Sequence, residues 1–319
     1  MTAEEAVLGL DTSCYTTSAA LLDREGNLLA DQRRLLKVKP GHRGLAQSEM
    51  VYQHTRNLPD LLEALDLSGR KVAAIGVSAQ PRPREDSYMP AFLVGLGMAR
   101  SLGKLLGVPV HRLTHQHNHM YAGLWSVGKT APDRFLLTHV SGGTTDLLLC
   151  ERQADGEFSL EPRGSSIDLH AGQFIDRVGV ALGLPFPAGP HLERLAGEAE
   201  TPYPLKVWTE GGNLSLSGPC TKALRAAETG ADPASLALGV EQAIGQGLGR
   251  VLQAICREEG LQQVLLVGGV SANQEIRRCV ETALAREGIS LWVPDPRYSV
   301  DGAVGNAWAA VLREKQEGR

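Results

Sequence analysis

Hydrophobic and polar positions follow the same order in two separate stretches of the chain. In residues 135–160 an apolar run leads into the polar segment 141–145, a second apolar run leaves it, and a turn at 154–156 begins a third run. This order predicts a strand, a tight glycine loop, a strand, a turn and a strand. Residues 7–30 repeat it, with a loop of small hydroxyl residues and a glycine turn at 23–27. Two such hairpins about half a chain apart predict a duplicated domain.

The rest of the pattern alternates helices with short buried strands. Helices are predicted over residues 45–67, 91–106 and 233–258, and Pro59 is expected to break or restart the first of them. Buried strands are predicted at 72–77, 108–110, 263–267 and 291–293. We therefore predict an α/β chain with the two-lobe, actin-like ATPase fold that sugar kinases and heat-shock chaperones share. In that fold each half offers one loop to a shared nucleotide cleft.

Composition sets outer bounds on this interpretation. A chain of 319 residues with 43% hydrophobic and 21% charged residues is long enough for two domains with cores of their own. The chain shows neither a leader-like segment at its start nor an apolar run of about 18 residues, so we expect a cytoplasmic protein without membrane contact. The five cysteines form no Cys-x-x-Cys pair, which favours reduced thiols.

The charge balance restricts how nucleic acid could bind. A net charge of −4 and a pI near 6.2 argue against a protein that holds nucleic acid through its overall field. Any nucleic-acid partner would need a local basic patch. The densest basic stretch comprises Arg33, Arg34, Lys37, Lys39, His42 and Arg43, and a smaller one comprises Arg82 and Arg84. A solvated loop explains both stretches equally well.

Two glycine pairs are candidate phosphate-binding loops. Gly142 and Gly143 lie between hydroxyl residues, and such a loop lets a phosphate approach the backbone closely. A plain hairpin turn is the alternative for this pair alone. Gly268 and Gly269 follow a buried strand and precede a helix, which is how open α/β sheets present backbone N–H groups to a nucleotide.

A histidine cluster is the candidate metal site. His115 and His119 are four residues apart, so on a helix both imidazoles project from one face and can bind one metal ion. His117 would point elsewhere. A polar helix start with unrelated histidines is the alternative. The His-Glu-x-x-His arrangement of thermolysin-like proteases is absent from the sequence.

The segment after residue 167 offers two carboxylates. Asp168, Gly172 and Asp176 are spaced at i, i+4 and i+8, which predicts one shared helix face against which a ligand can lie. A carboxylate on that face can accept hydrogen bonds from ribose hydroxyls. For Asp176 an ordinary surface position is equally consistent with the spacing.

With these motifs in order, the chain resembles the family of tRNA threonylcarbamoyladenosine transferases, whose older label is O-sialoglycoprotein endopeptidase or glycoprotease. The matching motifs span nearly the whole chain: residues 9–14, His115 with His119, residues 140–143, Asp168 with Gly172 and Asp176, residues 184–190, 215–218 and 268–273, and Asp301.

The resemblance implies a set of site residues. A divalent metal (Fe, Zn or Mg) would be bound by His115, His119 and Asp301. An adenine nucleotide (ATP, AMP or an adenylate) would be bound by Ser141, Gly142, Gly143, Asp168, Gly172, Asp176, Gly189, Gly268, Gly269 and Asn273. Catalysis would involve Asp11, Ser13 and Thr144. The first lobe would comprise residues 1–112 with the returning helix 303–319, and the second lobe residues 113–302.

The chain departs from the family in three places. The acidic pair that follows the cysteine of the first loop is replaced by Tyr15 and Thr16, and the histidine after Ser-Gly-Gly by Thr144. The glycine-rich segment before the second helix is replaced by residues 80–88. All three changes fall on the expected substrate side.

We therefore predict metal-dependent transfer of a carbamoyl-type group from an adenylate, with threonylcarbamoyl transfer to tRNA adenosine as the best named case, helped by partner proteins of a tRNA-modification complex. The alternative is a noncatalytic or altered-substrate paralogue that binds nucleotide and metal beside a true transferase. The missing acidic pair favours that alternative, and the intact metal triad disfavours it. No nucleophile or general base at a recognisable spacing supports a protease.

Overall fold

The computed structural model describes residues 4–38 and 45–318, so Lys39, His42 and Arg43 of the basic stretch lie outside the described residues. Its strands are β1 Glu4–Asp11, β2 Thr16–Asp23, β3 Leu28–Leu35, β4 Arg70–Gln80, β5 Val110–Thr114, β6 Arg134–Val140, β7 Thr145–Arg152, β8 Phe158–Ser165, β9 Trp208–Glu210, β10 Asn213–Ser215, β11 Gln263–Val267 and β12 Ser290–Trp292. Its helices are α1 Gln47–Glu63, α2 Phe92–Leu106, α3 His115–Val127, α4 Ala171–Ala181, α5 Gly189–Ala196, α6 Ser217–Glu228, α7 Pro233–Glu259, α8 Gln274–Ala285, α9 Pro296–Ser299 and α10 Val304–Glu317.

Two compact units divide the chain. The first contains the described parts of residues 1–129 and 300–319, and the second contains residues 130–299. Residues 113–129, which the sequence analysis grouped with the second lobe, lie in the first unit because α3 packs against α10 there. The buried face of α10 contacts the sheet of the first unit through Ala307, Ala310 and Val311.

Each unit is built on a five-stranded mixed sheet with the same connectivity. The orders are β3-β2-β1-β4-β5 and β8-β7-β6-β11-β12. In both sheets the first three strands of the unit form an antiparallel meander, and the two later strands run parallel to the first strand. The two hairpins predicted from the order of apolar runs and glycine loops are β1–β3 and β6–β8. The predicted duplication is therefore present.

The predicted break at Pro59 is wrong, because α1 runs without interruption from Gln47 to Glu63. An internal proline removes one helical hydrogen bond and costs about 3 kcal/mol. On either side of it, Leu58 and Leu61 are buried in the core of the first unit. Fully burying a leucine contributes roughly 1.5–3 kcal/mol, so the two side chains together offset the cost of the proline.

The core of the second unit is organised around α7. Val240, Ile244, Leu248 and Val251 are almost fully buried along this helix and pack into one cluster with residues of β6, β11 and α4. Across residues 4–38 and 45–318, no helix is both long and apolar enough to cross a membrane.

Candidate functional site

The two predicted metal-binding histidines lie on the first turns of α3. Thr114 caps this helix by accepting a hydrogen bond from the His117 backbone, so the helix begins at His115. The Nε2 atoms of His115 and His119 are 3.1 Å apart. Oδ1 of Asp301, which lies just before α10, is 3.3 Å from His119 Nε2 and 3.6 Å from His115 Nε2. The structure thus brings His115, His119 and Asp301 together within the first unit.

The spacing of these three atoms fits a metal ion. Ligand atoms that each lie about 2.0–2.2 Å from a tetrahedral ion are about 3.3–3.6 Å from one another. Burial, followed by the neighbouring His119, lowers the pKa of His115 from 6.5 to about 3. The imidazole of His115 is therefore neutral at physiological pH and can donate a lone pair. Two imidazole nitrogens and a carboxylate suit zinc or ferrous iron better than magnesium.

Asp11 and Ser13, the predicted catalytic residues of the first loop, are fully buried. The Ser13 hydroxyl donates to Asp11 Oδ2 at 2.6 Å. Burial and then the charge of Asp301 raise the pKa of Asp11 to about 7. Because neither side chain reaches the surface, neither can contact a substrate directly, and Asp11 is coupled to the metal-site residues through the charge of Asp301.

Cys14, which ends the predicted motif 9–14, lies beside these residues, and so does His54, which the sequence analysis did not single out. Cys14 Sγ, a His115 ring nitrogen and an Asp301 carboxylate oxygen all lie within 4.8 Å of one another. Burial and then the charges of Asp301 and Asp11 raise the pKa of the Cys14 thiol well above its ordinary value. His54 on α1 binds the backbone of Cys14 from 40 residues away, a contact that no local motif could have indicated.

In the second unit, the predicted phosphate loop joins β6 to β7. The Ser141 backbone N–H donates to the Thr144 carbonyl at 2.8 Å, which closes the loop and leaves Gly142 and Gly143 exposed. The Gly172 N–H donates to the Ser141 carbonyl at 3.1 Å. A Cβ on Gly172 would lie 2.7 Å from the Gly142 Cα, so only glycine allows this approach. The loop therefore lies at the N-terminus of α4, where the helix dipole favours anions.

The prediction that Asp168 shares a helix face with Gly172 and Asp176 is wrong. Helix α4 begins at Ala171, and Asp168 lies in the bend before it. Its carboxylate accepts hydrogen bonds from the hydroxyls of Ser215 and Ser217 and from two backbone N–H groups at the start of α6. Burial alone would raise its pKa, but these hydrogen bonds lower it below the ordinary value. Asp168 thus caps α6, because the unpaired N–H groups at that helix start favour a carboxylate.

Asp176 does lie on α4, and it anchors the loop that leads into α5. Its Oδ1 accepts the backbone N–H of Ala188 at 2.8 Å. Gly189 follows as the first residue of α5. Burial raises the pKa of Asp176. No other hydrogen bond to this carboxylate is made within the described residues, so it retains acceptor capacity for a ligand.

The second glycine pair begins a short 3₁₀ turn, Gly269–Ala272, after β11. Gly268 has a φ of 97°, which favours glycine, and its N–H donates to the Ser299 carbonyl. Asn273 then caps α8, since its Oδ1 accepts the Ile276 N–H at 2.8 Å. Its Nδ2 donates to Glu241 Oε1 at 2.7 Å. Both polar atoms of Asn273 therefore have partners inside the protein.

Glu241 is a further residue that sequence reasoning missed. It lies on α7, is 1% exposed and has a pKa that burial raises to about 7. Glu193 and Glu275 raise it further, whereas the hydrogen bond from Asn273 opposes the shift. A cavity of about 620 Å³ opens between α5, α7 and α8, and Glu193, Glu241 and Gln274 line it. The sequence signal that could have indicated Glu241 is a charged residue among the buried apolar positions of α7.

We expect the Glu241→Gln variant to be more stable than wild type at pH 8 but not at pH 4.5. Asn273 can donate to the glutamine oxygen as it does to the carboxylate. The folded pKa of about 7 exceeds the ordinary 4.5, so stability from this carboxyl is complete below pH 4.5 and is lost as pH rises through 7. The difference between these two pKa values corresponds to about 3 kcal/mol of stability, or roughly 6–12 °C in melting temperature.

Thermal unfolding of both proteins across this pH range measures the effect. Glu228→Gln, at an exposed position of α6, is the control for the loss of a surface carboxylate. A Glu241→Gln difference that is constant from pH 4.5 to 8 would contradict the raised pKa.

The duplicated mixed sheets and their helices define an actin-like ATPase fold. The activator of the 2-hydroxyisocaproyl-CoA dehydratase from Clostridium difficile superposes with a TM-score of 0.56 at 13% identity, covering 98% of this chain and 97% of that one. A ROK hexokinase from Thermus thermophilus superposes with a TM-score of 0.54 at 17% identity, covering 97% and 99%. At these identities the likeness establishes the fold.

Sequence similarity is more specific than the fold. A family model described as "TsaD: tRNA N6-adenosine threonylcarbamoyltransferase" matches residues 44–308. The tRNA N6-adenosine threonylcarbamoyltransferase of Thermus thermophilus is 34% identical over 318 residues, covering 97% of this chain and 93% of that protein. The chain belongs to the TsaD family. The predictions of the fold class and of the family are therefore confirmed.

Proposed function

We propose that this protein transfers a threonylcarbamoyl group from an adenylate to adenosine in tRNA, and that His115, His119 and Asp301 hold a divalent metal for this reaction. The observation that carries the proposal is the convergence of three ligand atoms at 3.1–3.6 Å in a member of this family. When bound, the metal would orient and polarise the carbamoyl-phosphate end of the donor.

The reaction itself is an acyl-type transfer. The N6 amine of the tRNA adenosine attacks the carbamoyl carbon, the bond from that carbon to the phosphate oxygen breaks, and AMP leaves as the amine loses a proton. Burial and then the charge of Asp301 raise the pKa of Asp11 to about 7, so Asp11 is partly protonated near neutral pH. Neutralising the charge of Asp301 would lower the pKa of Asp11, so the protonation state of Asp11 depends on the charge of Asp301.

The adenine nucleotide is assigned to elements of the second unit. The exposed Gly142–Gly143 loop at the N-terminus of α4 would bind a phosphate through backbone N–H groups and the helix dipole. Asp176 would accept a ribose hydroxyl. The cavity lined by Glu193 and Glu241 has a volume of about 620 Å³, within the range typical of small-molecule sites, and would hold the nucleoside.

Contacts with tRNA and with partner proteins remain part of the proposal. Of the predicted basic stretch, Arg33 pairs with Asp31 at 2.9 Å and Arg34 pairs with Asp60 at 2.5 Å. Arg84 of the smaller stretch pairs with Asp86 at 2.8 Å. These pairs reduce the positive potential that a tRNA phosphate would meet, so partner proteins are expected to supply part of the tRNA-binding surface.

One observation favours the noncatalytic paralogue as a second candidate. Tyr15 is 40% exposed and Thr16 is 7% exposed at the start of β2, beside Cys14. Neither residue carries the charge of the family's acidic pair. A protein with these replacements could bind nucleotide and metal without processing the carbamoyl end of the donor.

The deciding experiment supplies the purified protein with threonylcarbamoyl-adenylate, unmodified tRNA and the usual partner proteins. Transfer predicts threonylcarbamoyladenosine in the digested tRNA by mass spectrometry. Calorimetric AMP binding without any modified nucleoside would instead support the noncatalytic paralogue.

The Asp176→Asn variant tests the nucleotide assignment by calorimetric AMP binding. It keeps an acceptor for the Ala188 N–H but removes the charge. It should weaken AMP binding by roughly ten- to a hundredfold, because a charge-assisted hydrogen bond is worth about 1.5–3 kcal/mol. Asp232→Asn at the cap of α7 is the matched control, since asparagine caps a helix as well as aspartate. Equal AMP affinity in the Asp176 and Asp232 variants would remove Asp176 from the site.

A further inference from the structure

The loop between β1 and β2 places a thiol beside two of the three metal-site residues, His115 and Asp301. Cys14 Sγ lies within 4.8 Å of a ring nitrogen of His115 and of a carboxylate oxygen of Asp301. Cys14 is partly buried, and the residues before it in the loop are fully buried. A sulfur and an imidazole nitrogen bound to one tetrahedral zinc ion are about 3.6 Å apart, so the Cys14 side chain would rotate toward the three ligands when the ion binds.

The backbone of this loop is fixed on both sides of the cysteine. His54 Nε2 donates to the Cys14 carbonyl at 3.1 Å, and His54 Nδ1 accepts from the Thr17 hydroxyl at 2.8 Å. The carbonyl can only accept, so this contact requires the tautomer with the proton on Nε2. On the other side, the Thr12 hydroxyl donates to the Ala91 carbonyl at 2.9 Å and accepts the Gly95 N–H at 3.0 Å. The position of Cys14 is therefore set by α1 and α2.

The charge of the four side chains also matches a divalent ion. Two neutral imidazoles, one carboxylate and one thiolate together carry the charge that neutralises a +2 ion. A neutral complex costs less to bury than a charged one. We propose that the Cys14 thiolate is a fourth ligand to the metal held by His115, His119 and Asp301. This inference rests on the proposed metal site and deepens it by excluding magnesium, which prefers oxygen ligands, in favour of zinc or ferrous iron.

Binding through Cys14 has a defined proton balance. The thiol loses its proton to solvent as the sulfur–metal bond forms, so one proton is released for each metal ion bound through this residue. The tautomer of His54 does not change. No oxidant or reductant is required.

Cobalt substitution tests the proposal without any measurement of activity. Metal-free protein loaded with Co²⁺ should show a near-ultraviolet sulfur-to-cobalt charge-transfer band together with visible bands of tetrahedral cobalt. Cys14→Ser should lose the charge-transfer band, retain cobalt on the other three ligands, and bind it roughly tenfold or more weakly, a change of about 1.4 kcal/mol or more. Cys279→Ser in the second unit is the matched control and should keep the band.

X-ray absorption of the zinc-loaded wild type gives an independent measurement that needs no variant. One sulfur neighbour at about 2.3 Å is expected. A cobalt spectrum without the charge-transfer band, a band that persists in Cys14→Ser, or a zinc shell without sulfur would each overturn the assignment of Cys14. None of these results would affect the proposed transfer reaction, whereas an intact band without tRNA modification would overturn only that reaction.

Discussion

His119→Ala is expected to lose its divalent metal and, with it, any tRNA modification. His119 Nε2 is the atom nearest to both other ligands, at 3.1 Å from His115 Nε2 and 3.3 Å from Asp301 Oδ1. Its removal leaves His115 and Asp301 of the three converging ligands, with Cys14 as the proposed fourth, so metal affinity should fall roughly a hundredfold or more, which is about 2.7 kcal/mol or more. Metal content after dialysis against zinc, and nucleoside analysis of tRNA, measure the two losses.

The matched control is His117→Ala on the same helix. His117 hydrogen-bonds Thr114 Oγ1 at 2.7 Å and lies on another side of α3. The His117→Ala variant should therefore keep its metal and its activity. Calorimetric AMP affinity should be unchanged in both variants, because the proposed nucleotide elements lie in the second unit. Full tRNA modification by a metal-free His119→Ala protein would show that the histidine pair plays no part in the reaction.

The histidine pair also illustrates what a sequence pattern can specify. The spacing of His115 and His119 predicts that both project from one face, since it follows from the geometry of the helix alone. The approach of Asp301 has no such local cause. It depends on the packing of α10 against α3, and only the resemblance to a known family indicated it. His54 was missed for the same reason, because its contact with Cys14 joins a helix to a loop 40 residues away.

Asp168 shows where periodicity misleads. Its spacing from Gly172 and Asp176 is helical, but helix α4 begins only at Ala171. The unpaired N–H groups at the start of α6 and the hydroxyls of Ser215 and Ser217 bind the carboxylate instead. At Pro59, conversely, a local helix-breaking preference was outweighed by the burial of Leu58 and Leu61. Tertiary contacts decided both cases. The strands of the two hairpins were predicted correctly because apolar runs and glycine turns specify them locally.

Gly305→Ala is expected to destabilise the first unit and weaken its metal site together. A Cβ on Gly305 would lie 2.0 Å from the Asn118 carbonyl oxygen and 2.7 Å from the Ala122 nitrogen. Both are backbone atoms of α3, so the clash can be relieved only by moving α3 away from α10. Overpacking costs roughly 1–3 kcal/mol and occasionally more. Because both contacts here are with backbone atoms, we expect the upper end of that range, about 3 kcal/mol, and a melting temperature lower by roughly 6–12 °C.

The same displacement should separate the metal ligands, because α3 carries His115 and His119 while Asp301 immediately precedes α10. Asn118 Nδ2 also donates to the Gly302 carbonyl at 2.7 Å, which links the two segments beside the site. Zinc affinity should therefore fall along with thermal stability. Gly97→Ala, at an exposed position of α2, is the control: no other residue lies within 4 Å of its added Cβ, and helix propensity should raise stability by up to about 1 kcal/mol. A Gly305→Ala protein with wild-type melting temperature and zinc affinity would show that the distance between α3 and α10 does not set the geometry of the metal site.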